Sequence, residues 1–398
     1  MTYIFLFFAA VLVWLSVKSF RGGLAYLRFF REQLASPRSD FTPFVTVIAP
    51  CRGLDDGLEE NYAALFDQDY PDYEVIFVVD DPADPAVPII NEVRGNSRKR
   101  SQLVISPKAN ASGQKIESLR EAVLHADDGS QVFVFVDSDV RPSRDWLRSL
   151  VAPLADPSVG AATGYRWFIS EEPTFASEMR SVWNASIASA LGPNTRSNFS
   201  WGGSTAIRRD VFDSLDVREK WRGTLADDFA LTRVLQTAEL PIIFVPRALT
   251  ASVGDATLAE LLEFTNRQMK ITRVYMPHLW LMSFFGSALF CAVMLTAFFI
   301  IIFSSANGLA VWASLATLLL VTIFSVGKSW LRLSAVRLVL SEDKSALRRQ
   351  SWTQNTLWLL APALFFYNSI AALFSRTITW RGIVYQLKSP AETVIIRD

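Results

Sequence analysis

The sequence predicts an α/β domain on a parallel sheet, flanked at both ends by membrane helices. Hydrophobic residues make up 51% of the 398 positions, and they crowd into long apolar runs near the N-terminus and beyond Trp280. Between about residues 42 and 250, short runs rich in Val, Ile and Phe alternate with polar helical stretches. That is the pattern of strands buried on both faces by crossover helices. Two of these runs end on acids, at the edge where open α/β sheets bind ligands.

Tyr3 to Val17 is almost wholly apolar and lies at the low edge of the length of a membrane span. A cleaved signal peptide would want a basic start and a small-residue cleavage site. Here the basic residues Lys18, Arg21, Arg28 and Arg31 follow the run instead. The pattern predicts an uncleaved anchor over residues 1–20. Basic flanks favour the cytoplasmic side, which predicts a cytoplasmic domain over 21–276.

The expected strands are VTVIAP (45–50), YEVIFVV (73–79), QLVIS (102–106), QVFVFV (131–136) and PIIFVP (241–246). Helical stretches lie between them, Gly113 to Ala126 among them. Beyond Trp280, Leu279 to Ser304 and Leu309 to Val326 are each sufficient to cross a bilayer. The link Ser304–Gly308 carries no charge, as an outside turn should. Lys328, Arg332, Arg337, Lys344, Arg348 and Arg349 then mark 328–349 as cytoplasmic. Leu357 to Phe374 is apolar but interrupted by Pro362 and Asn368 and followed by Arg376, Arg381 and Lys388. It fits a third span or a re-entrant element packed against protein. The region 277–398 is therefore expected to be a membrane region with two clear spans and this third element at 355–375.

The 39 basic and 39 acidic side chains balance, which argues against nucleic acid as a partner. Cys51 and Cys291 lie far apart, so neither a disulfide framework nor a zinc site can be built from cysteine.

Val136-Asp137-Ser138-Asp139 carries the strongest chemical signal. Two carboxylates leave an apolar strand at its carboxyl end, and burying them without partners is expensive. A loop can aim both at a divalent Mg2+ or Mn2+ ion that bridges a diphosphate. Read alone, the same acids also suit a helix cap or a solvated turn. Asp80-Asp81, after YEVIFVV, can bind the base or ribose of a nucleotide, or form the turn before Pro82. Asp227-Asp228 precedes an apolar helical run. The pair suits a helix start or a general base whose pKa its neighbour raises. Arg267 and Lys270 share a helix face and suit either a leaving diphosphate or anchoring at a membrane surface. Weaker candidates are Arg52 just beyond Pro50, Lys115, and the glycine turn Trp201-Gly202-Gly203-Ser204. His125 and His278 are expected to be structural. No dinucleotide or Walker loop is present.

In their order along the chain these motifs resemble the inverting family 2 glycosyltransferases with a GT-A fold, most closely the ceramide glucosyltransferase-like group. The likeness runs through nearly the whole chain. In that pattern Asp80 is the acid after the second strand, Asp137 and Asp139 the D-x-D, and Asp228 the second acid of an E-D pair. Arg267 to Ile271 matches R-x-x-R-W, with Lys270 for Arg, Ile271 for Trp, and, in the acid pair, Asp227 for Glu. Lys270 keeps charge but loses the two-pronged donor geometry. These departures bear on the acceptor and on the last motif more than on the chemistry. Ile378-Thr379-Trp380-Arg381-Gly382 also resembles a segment common near the end of such enzymes.

The resemblance implies a GT-A (Rossmann-like) catalytic domain with an N-terminal transmembrane anchor and a C-terminal transmembrane helix bundle. It implies transfer of one sugar of glucose type from a UDP-sugar, UDP-glucose by preference, to the hydroxyl of a membrane lipid such as ceramide, with inversion. Asp137 and Asp139 would hold Mg2+ or Mn2+ on the donor diphosphate. Pro50, Arg52, Asp80, Lys115, Arg267 and Lys270 would bind the donor, and Asp228 would deprotonate the acceptor. Diacylglycerol, a hopanoid lipid and a polyprenyl phosphate stay open as acceptors. The rivals are a processive polysaccharide synthase, for which the missing Trp and small bundle speak poorly, and a catalytically silent nucleotide or lipid receptor.

Overall fold

The computed structural model describes residues 2–37, 39–304 and 308–397. The chain divides into two compact units. One comprises Glu32–Pro173, Ala190–Asp255 and Arg376–Asp398; the other comprises Met1–Arg31, Thr174–Ser189 and Ala256–Ser375.

The first unit is built on strands β1 (Val45–Pro50), β2 (Tyr73–Val79), β3 (Arg100–Ile105), β4 (Val132–Phe135), β5 (Ala161–Ile169), β6 (Thr205–Arg208) and β7 (Ile242–Val253). They form one sheet in the order β3-β2-β1-β4-β6-β5-β7. β1, β2 and β4 are buried at every residue, which is why the sequence shows unbroken apolar runs there rather than alternation. Ile48, Ile76, Val78, Phe133 and Phe135 pack with Ile116 and Leu119 of the helix Gln114–Ala122, and with Phe212, Trp221, Leu231 and Leu235. Side chains of this size each contribute about 1.5–3 kcal/mol on full burial.

The expected all-parallel sheet is corrected: β6 runs antiparallel to both β4 and β5. β5 and β6 are absent from the apolar runs for a physical reason. β6 has 4 residues. β5 is interrupted by Gly164, where a Cβ would lie 2.0 Å from the Ala248 carbonyl oxygen, at the register shift with β7. The glycine permits the bulge. A second sheet, β8 (Thr377–Trp380), β9 (Ile383–Ser389) and β10 (Glu392–Arg397), is an antiparallel meander. It was not expected from the sequence, because its strands bury only one face. It is fastened to the helix Gln114–Ala122 through the Tyr385 hydroxyl, which accepts from the Gln114 backbone N–H at 3.2 Å.

The second unit is helical. Among the described residues, Thr2–Ala35, Pro277–Phe303 and Leu309–Arg337 are long and apolar enough to cross a membrane. The first is longer than the expected anchor over 1–20. Gly23 and Gly327 let it approach Leu309–Arg337 closely: a Cβ at 23 would lie 3.3 Å from Lys328 Cγ, and one at 327 would lie 2.7 Å from the Phe20 ring. Small residues serve this purpose between membrane helices. Phe5, Ala9 and Leu12 pack with Val293, Ala297 and Val321. Residues 305–307 of the uncharged link lie outside the described residues.

Ala361–Phe374 follows Lys344–Leu359 with a bend of 59°. Its 14 residues reach about 21 Å, short of the roughly 30 Å hydrocarbon core. It is therefore a broken span or a re-entrant element, not a third straight one. The helix Leu258–Tyr275 starts on a capping box between Thr257 and Glu260.

Gly223 has φ of +79°, and a Cβ there would lie 2.3 Å from the Ala391 carbonyl oxygen. We predict that Gly223→Ala destabilises the first unit by about 1–3 kcal/mol. The measurement is limited proteolysis, with cleavage at the C-terminal meander expected to appear first.

Candidate active site

The carboxyl edge of the sheet gathers charged residues from four neighbouring strands, in the order β3-β2-β1-β4. Beyond β4, the Val136 N–H still donates to the Ile48 carbonyl at 3.1 Å. The chain then leaves the sheet at Asp137. Asp137 Oδ1 accepts from Lys115 Nζ at 2.6 Å, and the same ammonium lies 3.1 Å from Asp227 Oδ1. One lysine thereby joins two of the three acid motifs.

The backbone places that lysine. The Gly113 N–H donates to the Thr224 carbonyl at 2.8 Å. A Cβ on Gly113 would lie 3.1 Å from the Leu225 carbonyl oxygen, so the segment before Asp227 packs directly on the turn before Lys115. The glycine turn closes the other side. A Cβ at Gly202 would lie 2.1 Å from Asp227 Oδ2, and one at Gly203 would lie 2.8 Å from Asp137 Oδ2. No side chain fits at either position.

Asp139 Oδ2 accepts from Arg166 Nη1 at 2.7 Å. The Arg166 guanidinium lies over the rings of Phe168 and Trp201, 4.9 and 5.2 Å from their centroids. Asp228 stands at the start of the helix Asp227–Thr237, and its Oδ1 accepts from the Phe229 N–H at 2.7 Å.

The acids of this cluster are driven apart electrostatically. Burial pushes the Asp137 carboxyl up, but Lys115, then Arg166 and Arg381, outweigh it and hold Asp137 below the usual range. Burial wins at Asp227 and Asp139, which are both raised despite Lys115 and Arg166 respectively. Asp228 is pushed up to about 7, first by burial and then by the charge of Asp227. It has no basic partner of its own among the described residues.

A second charge group adjoins on the β2 side. Asp80 is buried, pairs with Arg52 beyond β1, and accepts from Lys108 Nζ at 3.0 Å. Asp81 forms the expected turn, accepting from the Ala83 N–H at 2.9 Å. Pro50 is the buried last residue of β1, opposite Val78. Arg267 and Lys270 stand on Leu258–Tyr275 in the helical unit, with the Arg267 guanidinium 5.7 Å from the Phe264 centroid. Burial lowers the Lys270 ammonium. His125 lies 2.9 Å from Glu121 Oε1, four residues before it.

Sequence reading missed Arg166, Lys108, and the pair of Arg381 with Asp55. Arg166 and Lys108 carry no local signature, because each meets its acid only through strand order. Arg381 did carry one, in Ile378–Gly382.

Among the described residues no group of three or more His, Cys, Asp or Glu side chains could hold a metal by itself. The donor set still fits a hard cation that takes its remaining ligands from phosphate and water. Lys115 and Arg166 each occupy one oxygen, leaving Asp137 Oδ2 and Asp139 Oδ1 outside those ion pairs.

Comparison with known proteins gives the family. A ceramide glucosyltransferase of Candida albicans is 28% identical over 123 residues, which cover 28% of this chain and 22% of that protein. A ceramide glucosyltransferase of Gibberella zeae is 29% identical over 190 residues, covering 42% of this chain and 36% of that protein. The matches thus span about a fifth to a third of the length of these relatives. A mannosyltransferase of Pyrobaculum calidifontis, solved in complex with GDP-Man and Mn2+, shares 18% identity with a TM-score of 0.44, covering 90% of this chain and 99% of that one. The motifs alone suggest family 2; the family description that matches is "Glycosyl transferase family 21", over residues 6–392. With that match across nearly its whole length and an α/β core of GT-A type between apolar helices, the chain belongs to glycosyl transferase family 21.

Proposed function

We propose that this membrane-associated glycosyltransferase moves one sugar, of glucose type, from a UDP-sugar to the hydroxyl of a membrane lipid, ceramide-like by preference, with inversion. One observation carries the reading. Lys115 ties Asp137 to Asp227, while the adjacent Asp228, without a basic partner of its own, is pushed up to about 7. A carboxylate that titrates near neutrality is matched to taking a proton from an alcohol.

In this mechanism Asp228 accepts the hydroxyl proton as the acceptor oxygen attacks the anomeric carbon from the face opposite the nucleotide. The bond from that carbon to the diphosphate oxygen breaks, and UDP leaves with the electron pair. Arg52, Asp80 and Lys108 suit the nucleoside end of the donor, and Asp137 and Asp139 its diphosphate end. Asp137 and Asp139 would hold a Mg2+ or Mn2+ ion, which would supply charge neutralisation at the diphosphate. The basic flanks of the apolar helices support a cytoplasmic catalytic unit. Mass spectrometry of lipids from a host expressing the chain tests the assignment. A polymer instead of a monoglycosylated lipid would assign a processive synthase.

Asp228→Asn is expected to keep donor affinity and to lower kcat by roughly two to four orders of magnitude. Wild-type turnover by the purified variant would remove Asp228 from the mechanism. The base must be ionised, so kcat/KM is expected to fall about tenfold per pH unit below about 7 and to level off above it. A profile flat from pH 5 to 8 would contradict this. Asp139→Ala is expected to abolish Mn2+-dependent UDP-sugar binding in calorimetry; unchanged affinity refutes the metal role.

A further inference from the structure

The turn that joins β8 to β9 consists of Arg381 and Gly382, with φ of 52° and 84°. Two-residue hairpin loops with both φ values positive are type I′ turns, which favour Asn-Gly. A long side chain at the first position strains the backbone. Its presence calls for a reason outside the turn.

The guanidinium reaches the carboxyl edge of the large sheet. Arg381 Nη2 donates to Asp55 Oδ1 at 2.5 Å, and the Ser138 hydroxyl donates to Asp55 Oδ2 at 2.5 Å. Ser138 lies between Asp137 and Asp139, and its carbonyl accepts from Asn61 Nδ2 at 3.0 Å. The hairpin tip is therefore tied, through one carboxylate, to the middle of the acid loop. Asp55 engages a single nitrogen of the fork, and the Arg381 side chain is 37% exposed against 12% for Asp55. The side chain stays partly exposed, and its charge acts on both Asp137 and Asp139. Arg166 and Lys115 differ in this respect, since each is well buried, at 11% and 14% side-chain exposure.

We propose that Arg381 is a diphosphate-binding residue of the donor site, held by Asp55 so that its free nitrogens meet the leaving phosphate beside Asp137 and Asp139. The inference rests on the UDP-sugar reading above and names a further group that carries it. A guanidinium suits the task because its fixed fork matches phosphate oxygens two at a time. Charge grows on the outer phosphate as the sugar leaves, so the contact strengthens along the reaction.

The test uses the full-length protein in nanodiscs with Mn2+ held constant. Binding of UDP and of UMP is measured by calorimetry for the wild type, Arg381→Asn and Arg381→Lys. Asparagine suits the positive-φ turn, so Arg381→Asn is expected to melt at or above the wild-type temperature. It is expected to weaken UDP binding by about ten- to a hundred-fold, the range of a charged hydrogen bond, and to leave UMP binding unchanged. Arg381→Lys is expected to recover part of the UDP affinity. Unchanged UDP affinity in Arg381→Asn overturns the proposal. So does an equal loss for UDP and UMP with a lower melting temperature, which marks a structural turn. A wild-type protein that binds UDP with this Arg381 dependence but transfers no sugar refutes the transfer reading alone.

Discussion

Lys115 is the constraint on which the site depends. Its ammonium lies between Asp137, at the end of β4, and Asp227, at the start of the helix before β7. These acids are 90 positions apart in the chain, and neither is fully solvated. Removing one partner from such a pair leaves a buried charge uncompensated, at about 3–5 kcal/mol. Backbone features set the lysine: the hydrogen bond from Gly113 to Thr224, and the absence of side chains at Gly113, Gly202 and Gly203. Three close glycine contacts of this kind are more than a structural ion pair requires. They fit a site whose walls must come close to a ligand.

The same lysine divides the labour among the acids. At 2.6 Å it leads Arg166 and Arg381 in overcoming the burial of Asp137, and at 3.1 Å it does not overcome that of Asp227. Asp228, one residue further on, receives the repulsion of Asp227. Separation of neighbouring carboxyl groups by environment is how one fold assigns different roles to like residues. An ionised Asp137 suits cations, and an Asp228 near neutrality suits proton transfer.

Legibility followed burial. β1, β2 and β4 were readable because full burial on both faces leaves only apolar residues. The acids beyond β2 and β4 were readable because a charge at the end of such a run stands out. β5 was hidden by Gly164 and Arg166, the first needed for a bulge and the second for Asp139. β6 was too short to show a period, and the C-terminal meander alternates too weakly. The apolar helices were legible from length alone, but the bend of 59° near Ala361 was not.

The sequence by itself determined the class of the sheet's central strands, the membrane helices, and the acids that stand at the carboxyl edge. These follow from local composition, because burial acts on each segment separately. Only the tertiary structure decided which cation meets which acid: Lys115 with Asp137 and Asp227, Arg166 with Asp139, Arg381 with Asp55. Ion pairing is set by strand order and by where loops end in space. Charged residues of either sign are common enough along the chain that their sequence positions carry no record of their partners.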